Sequence, residues 1–307
     1  MSSTEAKKHP CPDCTFCQWC GDDRCALCLR RGSCRRGKLS FAEQIALYDA
    51  TNRREPEMTG SDETVDLLRR HDLRILQPAR GYRFSLDPVI LCDFALPAGG
   101  RIADLGCGCG IIPLLMARLA SGARVTGVEV QGGMADLARR NVELNGLADR
   151  VDILESDILD LGELLPANGF DLVLANPPYR RRGEGRISPL AGRDLARHES
   201  SATLADFLAV SRRLVRPGGR ICFIYHPGRL VELLHLAQGA RLAPRRLRMV
   251  HGDVAAPARM FMVELMKGSR GGLEILPPLL VYGADGGYTG EMLRIYGEDG
   301  SGGTLLR

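Results

Sequence analysis

The sequence predicts an α/β fold built on a mostly parallel sheet of seven strands flanked by helices, and three observations carry that expectation. From Arg101 onward, short apolar runs alternate with amphipathic stretches, the pattern of strand–helix–strand units. A glycine-rich turn joins the first of these strands to the helix after it, as in nucleotide-binding sheets. The length of 307 residues and the 45% hydrophobic content suffice for one large domain with a small appendage.

Taken in order, strands are expected over 102–105, 124–130, 151–154, 170–175, 220–225, 247–250 and 260–266. Helices are expected over 111–119, 134–145, 204–215 and 230–238, the third closed by Pro217-Gly218-Gly219. Ser40 and Glu43 have capping-box spacing and predict a further helix over 41–50, and the polar stretch 51–60 around Pro56 reads as a linker. The chain therefore divides into a Cys-rich module (1–37), a helix and linker (38–60) and the main domain (61–307). It carries no internal repeat and no long low-complexity segment.

A charged fraction of 25% and a formal net charge of +4 describe a mildly basic chain. That balance does not by itself imply nucleic acid, which would require the basic residues to cluster. The first ten residues lack the apolar core of a secretory signal, and no uninterrupted apolar run is long enough to cross a bilayer. A cytoplasmic protein without membrane contact is expected. The pattern is silent on oligomeric state.

Seven of the eleven cysteines crowd the amino terminus: Cys11, Cys14, Cys17, Cys20, Cys25, Cys28 and Cys34. With nothing directing the chain to an oxidising compartment, they read as metal ligands rather than a disulfide scaffold. The first four resemble an iron–sulfur run, but the bacterial ferredoxin pattern has three residues before its last Cys. Paired CxxC knuckles suit structural zinc, so Zn2+ is the favoured metal and an iron–sulfur cluster the alternative. Such a small zone lacks an apolar core, and metal binding would supply its folding energy. Arg24, Arg30, Arg31, Arg35 and Arg36 among the cysteines would also give it a grip on a polyanion. Cys92, Cys107, Cys109 and Cys222 lie in apolar or Gly-rich sequence and read as small buried side chains.

Asp104-Leu105-Gly106-Cys107-Gly108-Cys109-Gly110 follows a predicted strand and opens a helix. Gly106, Gly108 and Gly110 let the backbone turn tightly and approach a ligand, and the helix amino terminus favours negative charge. Glu129 ends the next strand, where a carboxylate can accept from both hydroxyls of a ribose. Asp157, just past the third strand, is placed to accept from an adenine amine, with Ile158 against the ring. Either acid alone could be a loop cap. The three features in order, at successive strand ends, resemble the Rossmann-like class I methyltransferase fold, which implies S-adenosylmethionine as cofactor.

Asn176-Pro177-Pro178-Tyr179 follows the fourth strand. Two prolines stiffen the backbone, so the Asn176 side-chain oxygen and the Pro177 carbonyl can both accept from one NH2 group. Tyr179 offers a ring face for a base taken out of its stack. Standing alone, Asn-Pro is ordinary turn chemistry. Downstream of this cofactor loop, the tetrapeptide resembles the amino-group methyltransferases, which act on adenine, guanine or a glutamine amide.

A longer resemblance narrows the acceptor. Arg83-Phe84-Ser85-Leu86-Asp87-Pro88, Ala196-Arg197-His198-Glu199, Pro217-Gly218-Gly219-Arg220, Leu276-Pro277-Pro278-Leu279, Val281-Tyr282 and Gly287-Tyr288-Thr289 resemble the tRNA (adenine-N6) methyltransferase family that modifies the adenosine beside the anticodon of valine tRNA. The resemblance spans about 63–296 and implies a tRNA substrate, with 176–179 carrying the reaction. Arg180, Arg181, Arg182 and Arg197 cluster by the tetrapeptide and would meet phosphates beside the target base. His198 reads equally well as a loop-orienting or a structural histidine. The family's usual members begin near the main fold, so the cysteine module is a departure. Rival readings are DNA adenine-N6 methylation, release-factor glutamine-amide methylation, and a non-catalytic RNA-binding protein that retains the fold.

Overall fold

The computed structural model describes residues 63–79, 84–177 and 202–297. It opens with a hairpin: β1 (Glu63–Leu68) and β2 (Leu73–Pro78) pair antiparallel through a turn in which Asp72 is left-handed. β2 alternates buried Leu73, Ile75 and Gln77 with more open Arg74 and Leu76, the period of a half-buried strand. In α1 (Asp87–Phe94), Pro88 sits in the first turn, where its missing N–H leaves no intrahelical bond unmade.

The parallel core follows as β3 (Arg101–Leu105), α2 (Ile111–Leu119), β4 (Arg124–Glu129), α3 (Gly132–Leu144), β5 (Val151–Glu155) and β6 (Phe170–Ala175). Then come α4 (Leu204–Leu214), β7 (Val215–Tyr225), α5 (Leu230–Gly239), β8 (Leu242–His251) and β9 (Ala258–Lys267). β10 (Glu274–Ile275), β11 (Leu279–Leu280) and α6 (Gly290–Tyr296) close the described chain. α4 starts on a capping box in which Thr203 and Asp206 satisfy each other's backbone N–H.

Across the sheet the order is β10-β8-β9-β7-β6-β3-β4-β5, with β11 also on β8, and β9 antiparallel to both neighbours. This is the mostly parallel sheet that the resemblance implied. Helices cover both faces. Leu172 and Leu174 of β6 pack into one apolar cluster, and Val173 and Ala175 into the other. Strands buried on both sides read as unbroken apolar runs, which is why the sequence betrayed them.

Space is tight beneath the glycine turn. A Cβ on Gly127 would lie 2.9 Å from the Cys107 sulfur, 2.9 Å from Ile153 Cδ1 and 3.0 Å from Pro113 Cγ. Gly127→Val is expected to lower stability by about 2 kcal/mol through overpacking, read as a lower urea midpoint with unchanged slope. An unshifted midpoint would mean that the strand and helix yield freely.

Several expectations need correction. The helix before Pro217 ends at Leu214, and the next strand begins at Val215 rather than 220. Phe170 pairs with Val215 and Leu172 with Arg220, so Pro217-Gly218-Gly219 bulges out of the strand instead of preceding it. β8 starts at Leu242, not 247, because a register shift between Pro244 and Arg246 absorbs the proline. Among the described residues the sheet has nine strands, not seven. The two extra dipeptide strands flank Leu276-Pro277-Pro278, where the prolines interrupt pairing, and they cover the free edge of β8. The β1–β2 hairpin, α1 and α6 were not foreseen. The predicted helix over 41–50 lies outside the described residues.

The β8 arginines are committed to the fold. Glu264 of β9 accepts from Arg220 at 3.0 Å and Arg246 at 2.7 Å, and Arg246 also covers the Phe94 ring at 4.7 Å. Arg248 donates to the Pro277 carbonyl at 2.9 Å and to Glu291 at 2.8 Å. α6 is tied to the hairpin as well, through His71 Nε2 and the Ile295 carbonyl at 3.1 Å, groups 224 residues apart in sequence.

Candidate active site

β6, β3, β4 and β5 are neighbours that all run the same way, so their carboxyl ends meet at one edge. The chain leaves β3 toward β4 and β5 on one side, while β6 and β7 lie on the other. The crevice at such a switch point is where open parallel sheets bind ligands. Leu105 pairs with Ala175, so Gly106 and Asn176 are the first residues out of adjacent strands. The structure thus brings together the glycine turn and the head of the proline motif.

Gly106, Gly108 and Gly110 take φ of 78°, 54° and 87°. Gly106 and Cys107 donate their N–H groups to the Val128 carbonyl at 2.8 and 2.9 Å, anchoring the turn on β4. At Gly110 the left-handed backbone coincides with a close approach: a Cβ would lie 3.2 Å from Ala138 Cβ, so the turn and α3 pack only around a glycine. Around Gly108 there is more room, with Met134 Cε 3.8 Å from where a Cβ would sit.

Glu129, at the end of β4, is 5% exposed. One carboxylate oxygen accepts from Gly108 N–H at 2.9 Å, and the other from Gln131 N–H at 3.0 Å. Burial pushes its carboxyl above the usual range, while the hydrogen bonds from Gln131, Gly108 and Val130 pull the other way. Each oxygen keeps acceptor capacity for a ligand hydroxyl. Asp157 caps a single 3-10 turn by accepting from Leu159 N–H at 3.0 Å, and Ile158 is buried in the adjoining core. The Ser156 N–H donates to the Glu129 carbonyl at 2.9 Å, which fixes the spacing between the two acids.

Asp104 is fully buried, and among the described residues neither of its carboxylate oxygens has a hydrogen-bond partner. Burial, aided by the nearby Glu129 charge, raises its carboxyl well above the ordinary value of 3.8. A folded-state pKa above the unfolded one means that stability falls as pH rises above about that ordinary value, where the unfolded chain ionises first. Asp104→Asn is therefore expected to raise the melting temperature of the ligand-free protein by about 3 °C at neutral pH, the gap shrinking toward pH 4. A gap that does not grow with pH would sink this account.

These residues fit S-adenosylmethionine. A buried carboxylate lacking a partner complements an ammonium group, a second carboxylate held by backbone N–H groups complements a ribose diol, and the turn is shaped by three positive-φ glycines. The thiols beside the turn are structural. Burial pushes Cys109 and Cys222 up to about 12, and Cys92 and Cys107 higher than their usual range as well. All four are buried, as expected.

Asn176 is half-buried and Pro177 buried at the head of the motif. Pro178, Tyr179, Arg180, Arg181, Arg182 and Arg197 lie outside the described residues. So do Cys11, Cys14, Cys17, Cys20, Cys25, Cys28 and Cys34. Among the described residues no group of three or more His, Cys, Asp or Glu side chains is arranged to hold a metal. No helix among them is long and apolar enough to cross a membrane. The sequence reading missed Asn141 and Asn145. Two asparagines one turn apart, one on the buried face of an amphipathic helix and one at its C-cap, were the available signal.

Residues 88–229 match the model of the methyltransferase small domain. A tRNA1(Val) (adenine(37)-N6)-methyltransferase of Porphyromonas gingivalis is 34% identical over 175 residues, covering 55% of this chain and 68% of that protein. This chain belongs to the tRNA1(Val) (adenine(37)-N6)-methyltransferase family. Within that family the protein of Parabacteroides distasonis is 29% identical over 167 residues, 54% of this chain and 68% of its own length. A release factor glutamine methyltransferase of Chlorobaculum tepidum is also similar, at 32% over 148 residues, but only 48% of it is covered. Among solved structures, a crystal structure named as a predicted O-methyltransferase from Agrobacterium tumefaciens superposes with a TM-score of 0.56 at 26% identity, covering 68% of this chain and 95% of that one.

Proposed function

We propose that this chain transfers the methyl group of S-adenosylmethionine to the N6 amine of an adenosine in tRNA. The observation that carries the reading is the adjacency of Gly106 and Asn176 at the switch point of the sheet, in a chain of this family. S-adenosylmethionine supplies an electrophilic methyl group on positively charged sulfur. Asp104 and Glu129 would hold its ammonium and ribose, Gly106, Gly108 and Gly110 its flank, and Asp157 with Ile158 its adenine.

On the acceptor side, the Asn176 side-chain oxygen and the Pro177 carbonyl each accept one N–H of the target amine. Held that way, the nitrogen lone pair is drawn out of conjugation with the ring and aimed at the methyl carbon. With S-adenosylmethionine bound, its C–S bond would be exchanged for the new C–N bond, and the proton would then leave the nitrogen to solvent. No general base is required before attack. Pro178 stiffens the loop, Tyr179 stacks on the flipped base, and Arg180, Arg181, Arg182 and Arg197 meet the flanking phosphates.

The amino-terminal cysteines, in this reading, form a structural zinc module, with an iron–sulfur cluster as the alternative. Metal analysis and the absorption spectrum of the purified full chain separate the two, and a chain free of both metals would end the idea.

The test of the activity is transfer of labelled methyl to bulk tRNA, to DNA and to a release factor, followed by nucleoside and amino-acid analysis. Label recovered as N6-methyladenosine from tRNA is the expected result. Label found only in glutamine of the release factor would favour the second reading, to which the Chlorobaculum tepidum relative points.

A further inference from the structure

Asn141 sits inside α3 with its side chain fully buried. Its Oδ1 accepts from the Leu76 N–H at 2.7 Å, and its Nδ2 donates to the Leu76 carbonyl at 2.9 Å. The same Nδ2 donates to the Cys109 carbonyl at 3.0 Å, inside the glycine turn. One turn on, Asn145 repeats the pairing with Arg74, accepting from its N–H at 2.8 Å and donating to its carbonyl at 2.7 Å. Its remaining contact goes back to the helix, to the Asn141 carbonyl at 2.7 Å. The two amides imitate an adjacent strand along β2, and only Asn141 reaches on to the cofactor turn.

The turn is consequently gripped from two directions. Glu129 holds the N–H of Gly108, and Asn141 holds the carbonyl of Cys109, the next residue. Both N–H groups of the Asn141 amide are spent on carbonyls from different elements, so removal leaves the Cys109 carbonyl and both Leu76 groups without these partners. Buried groups deprived of a hydrogen bond pull their segments toward other partners or water. At the glycine turn that motion falls where a ligand must fit closely.

We infer that Asn141 is a positioning residue for the cofactor turn, and that through it the β1–β2 hairpin is a working part of the cofactor site. The inference rests on the reading of this turn as the S-adenosylmethionine site. Asn145 supplies an internal control, because it braces the same hairpin from the same helix without touching the turn.

The experiment measures S-adenosylmethionine binding by calorimetry on the full chain, with thermal melting in parallel, for wild type, Asn141→Ala and Asn145→Ala. Both variants are expected to melt earlier. Asn141→Ala raises the cofactor dissociation constant about tenfold, while Asn145→Ala stays within about twofold of wild type. Equal affinities in both variants, whatever their melting points, overturn the inference and leave Asn141 a structural residue. Wild type that fails to bind overturns the cofactor assignment and this inference with it.

A measurement on the wild type keeps the inference testable if Asn141→Ala does not fold. Cofactor binding should slow hydrogen exchange at the Leu76 amide more than at the Arg74 amide, since only the first is bonded to the residue that holds the turn. Equal protection of the two amides contradicts the coupling.

Discussion

Replacing Asn176 by alanine is expected to lower the turnover number for methyl transfer to tRNA about a hundredfold or more, with the S-adenosylmethionine dissociation constant within about twofold of wild type. The residue directly follows Ala175, which is fully buried at the end of a central strand, so the sheet fixes where its backbone starts. On the proposed reading the variant loses one of two acceptors for the target amine, an interaction worth most when charge is developing on nitrogen. Asn176→Asp keeps an acceptor but removes the NH2 group and is expected to retain partial activity. A variant in which cofactor affinity collapses while turnover holds would place Asn176 on the cofactor instead.

Glu129→Ala should act on the other half of the reaction, raising the cofactor dissociation constant about a hundredfold. The substitution removes the acceptor for any ligand diol and also strips Gly108 and Gln131 of the partners that their N–H groups now have at 2.9 and 3.0 Å. Glu129→Gln retains one carbonyl oxygen and should fall between, at about tenfold. The pH dependence has a definite sign. Burial raises the Glu129 carboxyl above the usual 4.5, and the ionised form is the one that accepts from ligand and backbone alike. Affinity should weaken as pH falls toward that raised value, beginning earlier than an exposed glutamate would allow. A dissociation constant that stays unchanged down to the usual 4.5 would remove Glu129 from the ligand contacts.

The central half of the fold was legible because buried parallel strands and their helices leave period and length in the sequence. α2 and β6 have the bounds that the pattern gave. What escaped was local structure whose cause is tertiary. β2 is docked through partners on α3, and the dipeptide strands exist only because β8 offers an edge. Pro217-Gly218-Gly219 read as a terminator, yet β6 pairs with Val215 before it and with Arg220 after it. The acids at the strand ends were readable from spacing. That Asp104 lacks a partner, or that Asn141 reaches the turn, depends on which elements come together and leaves no periodic trace.

The contact between His71 and the Ile295 carbonyl sets an order in time. On the ribosome β1 and β2 emerge before nearly all the rest of the described chain, and the group that docks onto their turn is made 224 residues later. A link across so long a separation forms only after the intervening chain has condensed. The parallel strands can assemble as they are synthesised, but this corner is sealed last, when α6 arrives. Because the hairpin also braces the glycine turn through Asn141, a nascent chain with every strand in place would still have a loosely held cofactor turn. Competence to bind would then wait on the synthesis of α6, and stalled chains lacking α6 would accumulate in the inactive form.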